Sequence, residues 1–155
     1  MDAVDRELLA QLQHDGRLTI TELAERVHLS VSRCQRRVRE LERQGVLRGY
    51  RAEVDAEKVG LGFSAIVFVT MDHSDHATIA DFERQVSAVP EVVTAQRLFG
   101  DPDYLLRVAA HDLRGYQRLY DEQLATLPGV QRLISTLVMK ELVHRGLPIT
   151  ADPQR

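Results

Sequence analysis

Hydrophobic positions change their period partway along the chain. At first they recur every three or four residues: Val4, Leu8, Leu9 and Leu12, then Leu23, Ala24 and Val27, then Val31, Cys34, Val38 and Leu41. That spacing lines helix faces, so three helices are expected. Asp2 and Asp5 stand near the start of the first, where the helix dipole favours acids, and Gly16 follows as its stop. Thr19 or Thr21 could cap the second, and Thr19 with Glu22 has capping-box spacing. His28 and Leu29 form the turn, and Ser30 is placed to cap a third helix that runs to Gln44 and is closed by Gly45. Val46 to Val54, VLRGYRAEV, is rich in β formers and reads as a wing strand or a strand-like linker. Lys58 to Gly62, KVGLG, carries two glycines and marks a hinge.

From Phe63 the pattern alternates. FSAIVFVTM puts Phe63, Ala65, Val67 and Val69 on one face of a strand, and Ile66 and Phe68 on the other. A helix from about Asp75 to Ala88 carries the stripe Ile79, Phe82 and Val86. Val92 to Phe99 is a strand, Gly100 to Asp103 (GDPD) a tight turn, and Tyr104 to Ala110 the returning strand. Asp112 caps a helix bearing Leu113, Tyr116, Leu119, Tyr120 and Leu124, and Val130 to Leu142 is the last strand. The order β-α-β-β-α-β is a ferredoxin-like unit. The expected fold class is therefore α+β: a helix-turn-helix with a wing over 1–52, a linker over 53–62 and a ferredoxin-like domain over 63–155. Such a sheet has helices on one face only. The other face carries Ile66 and Phe68, and the last strand is apolar on both faces (Ile134 and Val138 against Leu133, Leu137 and Met139), which predicts that the sheet packs against another copy of the chain as a homodimer.

Charge changes the picture of the third helix. The net charge of −3 alone argues against a polyanion as partner. Yet residues 1–52 hold ten Arg against eight acids, and residues 33–51 hold seven Arg against two Glu. A local basic patch outweighs the global average. At 100° per residue, Ser32, Arg33, Arg36, Glu40 and Arg43 lie opposite the apolar stripe, with Arg37 and Arg39 flanking them. The pattern points to double-stranded DNA. Ser32, Arg33 and Arg36 would enter a major groove, where Arg can fork to guanine. Arg37, Arg39, Arg43 and the wing residues Arg48 and Arg51 would meet phosphates, as would the helix N–H groups beyond Ser30. An ordinary solvated arginine face is the competing interpretation; the preceding short helix and the wing favour DNA.

Cys34 is the only cysteine, so no disulfide can form within the chain, and its place on the apolar stripe makes it a packing residue. A reducing, cytoplasmic setting is expected. The N-terminus lacks a signal-peptide core, and the longest apolar run, Ala65 to Val69, is too short to span a membrane. No cofactor is expected. His73 and His76 have an H-x-x-H look but no third ligand at a convincing spacing, so no metal is expected either.

Two blocks together resemble the Lrp/AsnC (feast/famine) family of transcription regulators: LAQLQHDGRLTITELAERVHLS with VRELERQGVLRGYRAEVD, then LFGDPDYLLRV with LPGVQRLISTLVMKEL. Nearly the whole chain is covered. One departure is Ser32-Arg33 before Cys34, where many members have Thr-Pro. The resemblance implies an N-terminal DNA-binding domain and a C-terminal domain for sensing and assembly. It implies dimers through the C-terminal sheets, octamers or other even oligomers, and a small effector, usually an amino acid. The matching loop is Gly100 to Tyr104. There Gly100 permits close backbone approach, and Asp101 or Asp103 can pair with an α-ammonium group. Leu98, Tyr104 and Thr136 are further lining candidates. Two alternatives stay open: an enzyme on the same scaffold, as in the sirohaem decarboxylases, and an architectural DNA-binding protein.

Overall fold

The computed structural model describes residues 1–72 and 75–149. The chain divides into two compact units. Of the described residues, one comprises Met1–Glu53 together with 142–149; the other is Val54–Glu141. The expected division was 1–52, a linker over 53–62 and a domain over 63–155; here residues 54–62 group with the sheet and the segment from Leu142 with the helices.

The first unit holds helices α1 (Ala3–His14), α2 (Ile20–Arg26) and α3 (Val31–Arg43). Each start is set locally. Asp2 and Asp5 form a reciprocal capping box on α1, each carboxylate accepting the other's backbone N–H at 2.9 Å. Thr19 and Glu22 do the same on α2, as their spacing predicted. Ser30 occupies the N-cap position of α3, but its side chain makes no capping hydrogen bond; its Oγ lies 3.5 Å from Ser32 Oγ instead. His28 takes φ 54°, a left-handed conformation that turns the chain sharply between α2 and α3. Leu8, Leu9 and Leu12 pack with Leu23, Ala24, Cys34, Val38 and Leu41 in one buried cluster. Val31, expected on that stripe, is 48% exposed: as the first residue of α3 it extends past the helices that cover the rest. Burial also raises the Cys34 thiol pKa, which keeps it a protonated packing group.

No strand forms over 46–54. The Val46 and Leu47 N–H groups both turn back to the Leu41 carbonyl, and the rest has no neighbouring strand to pair with. Residues 55–61 fold into a turn, with Asp55 accepting from the Glu57 and Lys58 N–H groups.

The second unit is a four-stranded antiparallel sheet in the order β2-β3-β1-β4, from β1 (Phe63–Met71), β2 (Val92–Arg97), β3 (Tyr104–Ala110) and β4 (Val130–Leu137). Helices α4 (His76–Val86) and α5 (Leu113–Glu122) connect them as the β-α-β-β-α-β pattern predicts. Strict alternation buries Ala65, Val67, Val69 and Met71 of β1 and Tyr104, Leu106, Val108 and Ala110 of β3. These pack in one cluster with Phe82 and Val86 of α4 and Tyr116 and Leu119 of α5. The opposite face carries Ile66, Phe68 and Leu105, half-buried, and Ile134, 47% exposed. β4 stops at Leu137, not Leu142, because its partner runs out: Leu137 pairs with Ala65, and the Val138 N–H donates to Ser64 near the start of β1.

Carboxylates at caps and turns give the fold an acid limit. Asp2 is held below its ordinary pKa by the Asp5 N–H and by Arg37, and Glu22 by the N–H and hydroxyl of Thr19. Glu40 is lowered to about 2 by Arg43 and Gln44. A depressed folded pKa contributes stability that is complete above the unfolded value and is lost as pH falls through the folded one. The melting midpoint is therefore expected to hold above pH 4.5 and to fall between there and about 2. Glu22→Gln, which keeps the capping shape but cannot titrate, should flatten part of that decline in a pH series of thermal melts.

Candidate nucleic-acid interface and effector loop

Burying Cys34, Val38 and Leu41 fixes the rotation of α3 about its axis. The remaining face then presents Ser30, Ser32, Arg33, Arg36, Arg39 and Arg43 to solvent, and Arg48 and Arg51 are exposed on the segment that follows. Arg37 behaves differently. Its guanidinium donates to Asp2 at 2.8 Å and to Asp5 at 2.7 Å, and its side chain is only 32% exposed. These bonds, to Asp5 and then Asp2, push its pKa upward. Arg37 thus ties α3 to the cap of α1 and supports the arginine face from behind. Arg43 is also partly committed: its Nε donates to Glu40 at 2.8 Å and its Nη2 contacts the same carboxylate. Among the described residues, no ion pair engages the exposed Arg33, Arg36 and Arg39 of the same helix.

The loop between β2 and β3 is built by backbone bonds. The Leu98 N–H donates to the Asp103 carbonyl at 2.7 Å, and the Asp103 N–H to the Val69 carbonyl at 2.9 Å. Gly100 has φ 127° with open space where a Cβ would stand, so glycine is needed here for conformation rather than for room. Two expected ligand residues have structural bonds of their own, and a third lies further along the sheet. The Asp103 carboxylate accepts the Met71 N–H at 2.7 Å and pins the loop to the end of β1. Tyr104 points into the core at 3% exposure; its ring lies 4.6 Å from Phe82 and its hydroxyl donates to Glu83 at 2.9 Å. Burial, then Glu83, pushes its pKa up to about 12, so it is a neutral donor. Thr136 is exposed on β4 opposite Ile66, four residues beyond Arg132 and so about 13 Å along the strand.

Asp101 remains available at the loop tip, and the sheet brings two further residues to it. Arg132 lies 3.8 Å from its carboxylate, and the Thr70 hydroxyl 3.4 Å. Neither was found from sequence, because the β1–β4 register that places Arg132 opposite Thr70 joins positions far apart in the chain. His73 lies outside the described residues. Among the described residues no cluster of three or more His, Cys, Asp or Glu can hold a metal, and no helix is long and apolar enough to cross a membrane.

A basic helix-turn-helix and a separate antiparallel sheet with helices on one face are the architecture of a DNA-binding protein with a second domain. Comparison with known proteins agrees. Residues 1–48 match the winged helix-turn-helix DNA-binding model and residues 64–148 the Lrp/AsnC ligand binding domain model. The DNA-binding transcriptional activator DecR of Escherichia coli K12 is 36% identical over 150 residues, covering 96% of this chain and 99% of that protein. The leucine-responsive regulatory protein of Rhizobium meliloti is 37% identical over 142 residues, covering 92% and 91%. A transcriptional regulator of Neisseria meningitidis solved with L-Met superposes with a TM-score of 0.88 at 37% identity, covering 94% of each chain. An AsnC family regulator from Agrobacterium tumefaciens gives 0.90 at 34%, covering 96% and 97%. The chain belongs to the Lrp/AsnC family of transcriptional regulators.

The division among the arginines is testable by melting. Arg37→Ala should lower the midpoint by a few degrees, because it leaves Asp2 and Asp5 beside each other without their shared cation. Arg33→Ala and Arg36→Ala should leave the midpoint where it is.

Proposed function

We propose that this protein reads specific DNA sites through Ser32, Arg33 and Arg36 on α3. Arg39, Arg43, Arg48, Arg51 and the α3 N-terminus at Ser30 engage phosphates. The observation that carries this is the opposition of the buried Cys34–Val38–Leu41 stripe to an arginine face that Arg37 braces but does not join. Direct readout belongs to the N-terminal half of a recognition helix, where Arg33 and Arg36 stand. Selecting bound fragments from genomic DNA yields the operator. On it, Arg36→Ala is expected to weaken binding by ~1–3 kcal/mol and relax preference at one base position, whereas a phosphate contact such as Arg48→Ala weakens all sequences alike and lowers the salt dependence. Unchanged operator affinity of a folded Arg36→Ala protein refutes this assignment.

The sensing domain responds to an amino acid or a related small molecule. Asp101 and Arg132 supply opposite charges beside the Thr70 hydroxyl at the β2–β3 loop, a set complementary to an α-ammonium and an α-carboxylate. The L-Met bound by the Neisseria relative and the names of the leucine-responsive relatives support this ligand class. Asp103, already bonded to Met71, shapes the loop instead of contacting the ligand through that oxygen. The effector regulates by binding one assembly state better than another.

The open sheet face of Ile66, Phe68, Leu105 and Ile134 associates with a second copy to form the homodimer, and dimers assemble further to an octamer or another even oligomer. Two recognition helices per dimer make operator binding bivalent. Phe68→Glu should yield monomers in sedimentation and, in the same preparation, lower operator affinity by about 100-fold or more. A monomeric variant that binds its operator at full strength refutes the coupling.

A further inference from the structure

The segment after β4 returns to the DNA-binding unit and attaches to α1 at a defined point. The Gln13 side-chain amide bonds the backbone of Leu147 on both sides: its Oε1 accepts the Leu147 N–H at 2.6 Å, and its Nε2 donates to the Leu147 carbonyl at 3.2 Å. One amide thereby imitates a neighbouring strand. Next to it, a Cβ on Gly146 would collide with Gln13 Oε1, so a side chain there would push the Gln13 amide away from Leu147. Two residues on, Ile149 packs against the apolar cluster of the three helices. Two-way hydrogen bonding, steric fit and apolar burial fall within four residues. The segment is part of the fold of the DNA-binding unit.

The root of the same segment is fixed in the other unit. Glu141, the last residue of that unit, accepts from both terminal nitrogens of Arg107, at 3.0 and 2.9 Å. Arg107 sits on β3 opposite Ile66, on the open face of the sheet. A forked Arg–carboxylate pair fixes direction as well as distance.

We propose that residues 142–149 form a strap, a second covalent line between the two units, held at one end by the Arg107–Glu141 pair and at the other by the Gln13 clasp. Its docking surface is the flank of α1 around Gln13, and its occupant is the chain's own peptide. Only five residues lie between Glu141 and Leu147, so the two attachments share one short stretch of chain. The chain passes between the units once from Glu53 to Val54 and again from Glu141 to Leu142. A change on the sheet face that breaks the Arg107–Glu141 pair lengthens this tether and lowers the local concentration of the peptide at α1.

Hydrogen exchange on the full-length protein tests the proposal. In the wild type, the Leu147 amide should be protected relative to a free peptide of residues 140–149. Gln13→Ala and Gly146→Ala should each speed its exchange roughly tenfold, since each removes the paired bonds. Arg107→Ala, in the other unit, should speed it as well. Amides of β1 and β3 serve as the control and should not change in the Gln13 and Gly146 variants. Free-peptide exchange in the wild type, or a Leu147 amide indifferent to Gln13→Ala and Gly146→Ala, overturns the clasp. Indifference to Arg107→Ala overturns the two-ended strap. A short bismaleimide on a His14→Cys, Leu147→Cys protein settles whose peptide docks. Cross-linking within one chain is expected, with Cys34 buried and unreactive; cross-linking only between chains overturns docking of the chain's own segment.

Discussion

The structure depends on the burial of one side of α3. Cys34, Val38 and Leu41 must leave water, and the surface that receives them is made by Leu8, Leu12, Leu23 and Ala24. Once they are seated, the helix has no freedom to roll. The direction of every other side chain on it then follows from 100° per residue. The cationic face is a consequence of packing, and so is its placement opposite the apolar stripe. Arg37 shows the constraint from the polar side. Lying between the two faces, it reaches back to Asp2 and Asp5, which are themselves held in place as the cap of α1. The cap sets the carboxylates, the carboxylates hold Arg37, and Arg37 with the apolar stripe locks the helix that DNA would meet.

A similar economy governs the sensing unit. Asp103 and Tyr104, adjacent in sequence, point to different tasks because successive strand residues alternate. Tyr104 enters the core beneath α4, while Asp103 closes the loop against β1. What the loop leaves accessible is set by these inward bonds. Asp101 is free to face Arg132 because its neighbours have taken the structural work.

What could be read from sequence was local or periodic. The helical spacing of the apolar residues marked α1 to α3, and strict alternation marked β1 and β3. The Thr19–Glu22 box was visible because its partners are three residues apart. What escaped was long-range. Arg37 finds its partners on another helix, more than thirty residues away. Asp103 finds a backbone N–H on β1, and Arg132 meets Asp101 through a strand register that no local pattern encodes. Val46 to Val54, read as a wing strand or a strand-like linker, forms no strand, because β propensity describes residues, whereas a strand needs a partner. The path of residues 142–149 was invisible for the same reason: Gln13 lies 134 positions from Leu147, and nothing in either residue type announces the match.

That path has a bearing on how the molecule is made. Its DNA-binding unit is interrupted by the 88 residues that separate Glu53 from Leu142. At ordinary elongation rates those residues take on the order of ten seconds to synthesise. The three helices emerge first and can collapse early, but their last wall, Ile149 against the cluster and Leu147 on Gln13, arrives only after the whole sheet has left the ribosome. The part of the chain that begins folding earliest is thus among the last to be finished.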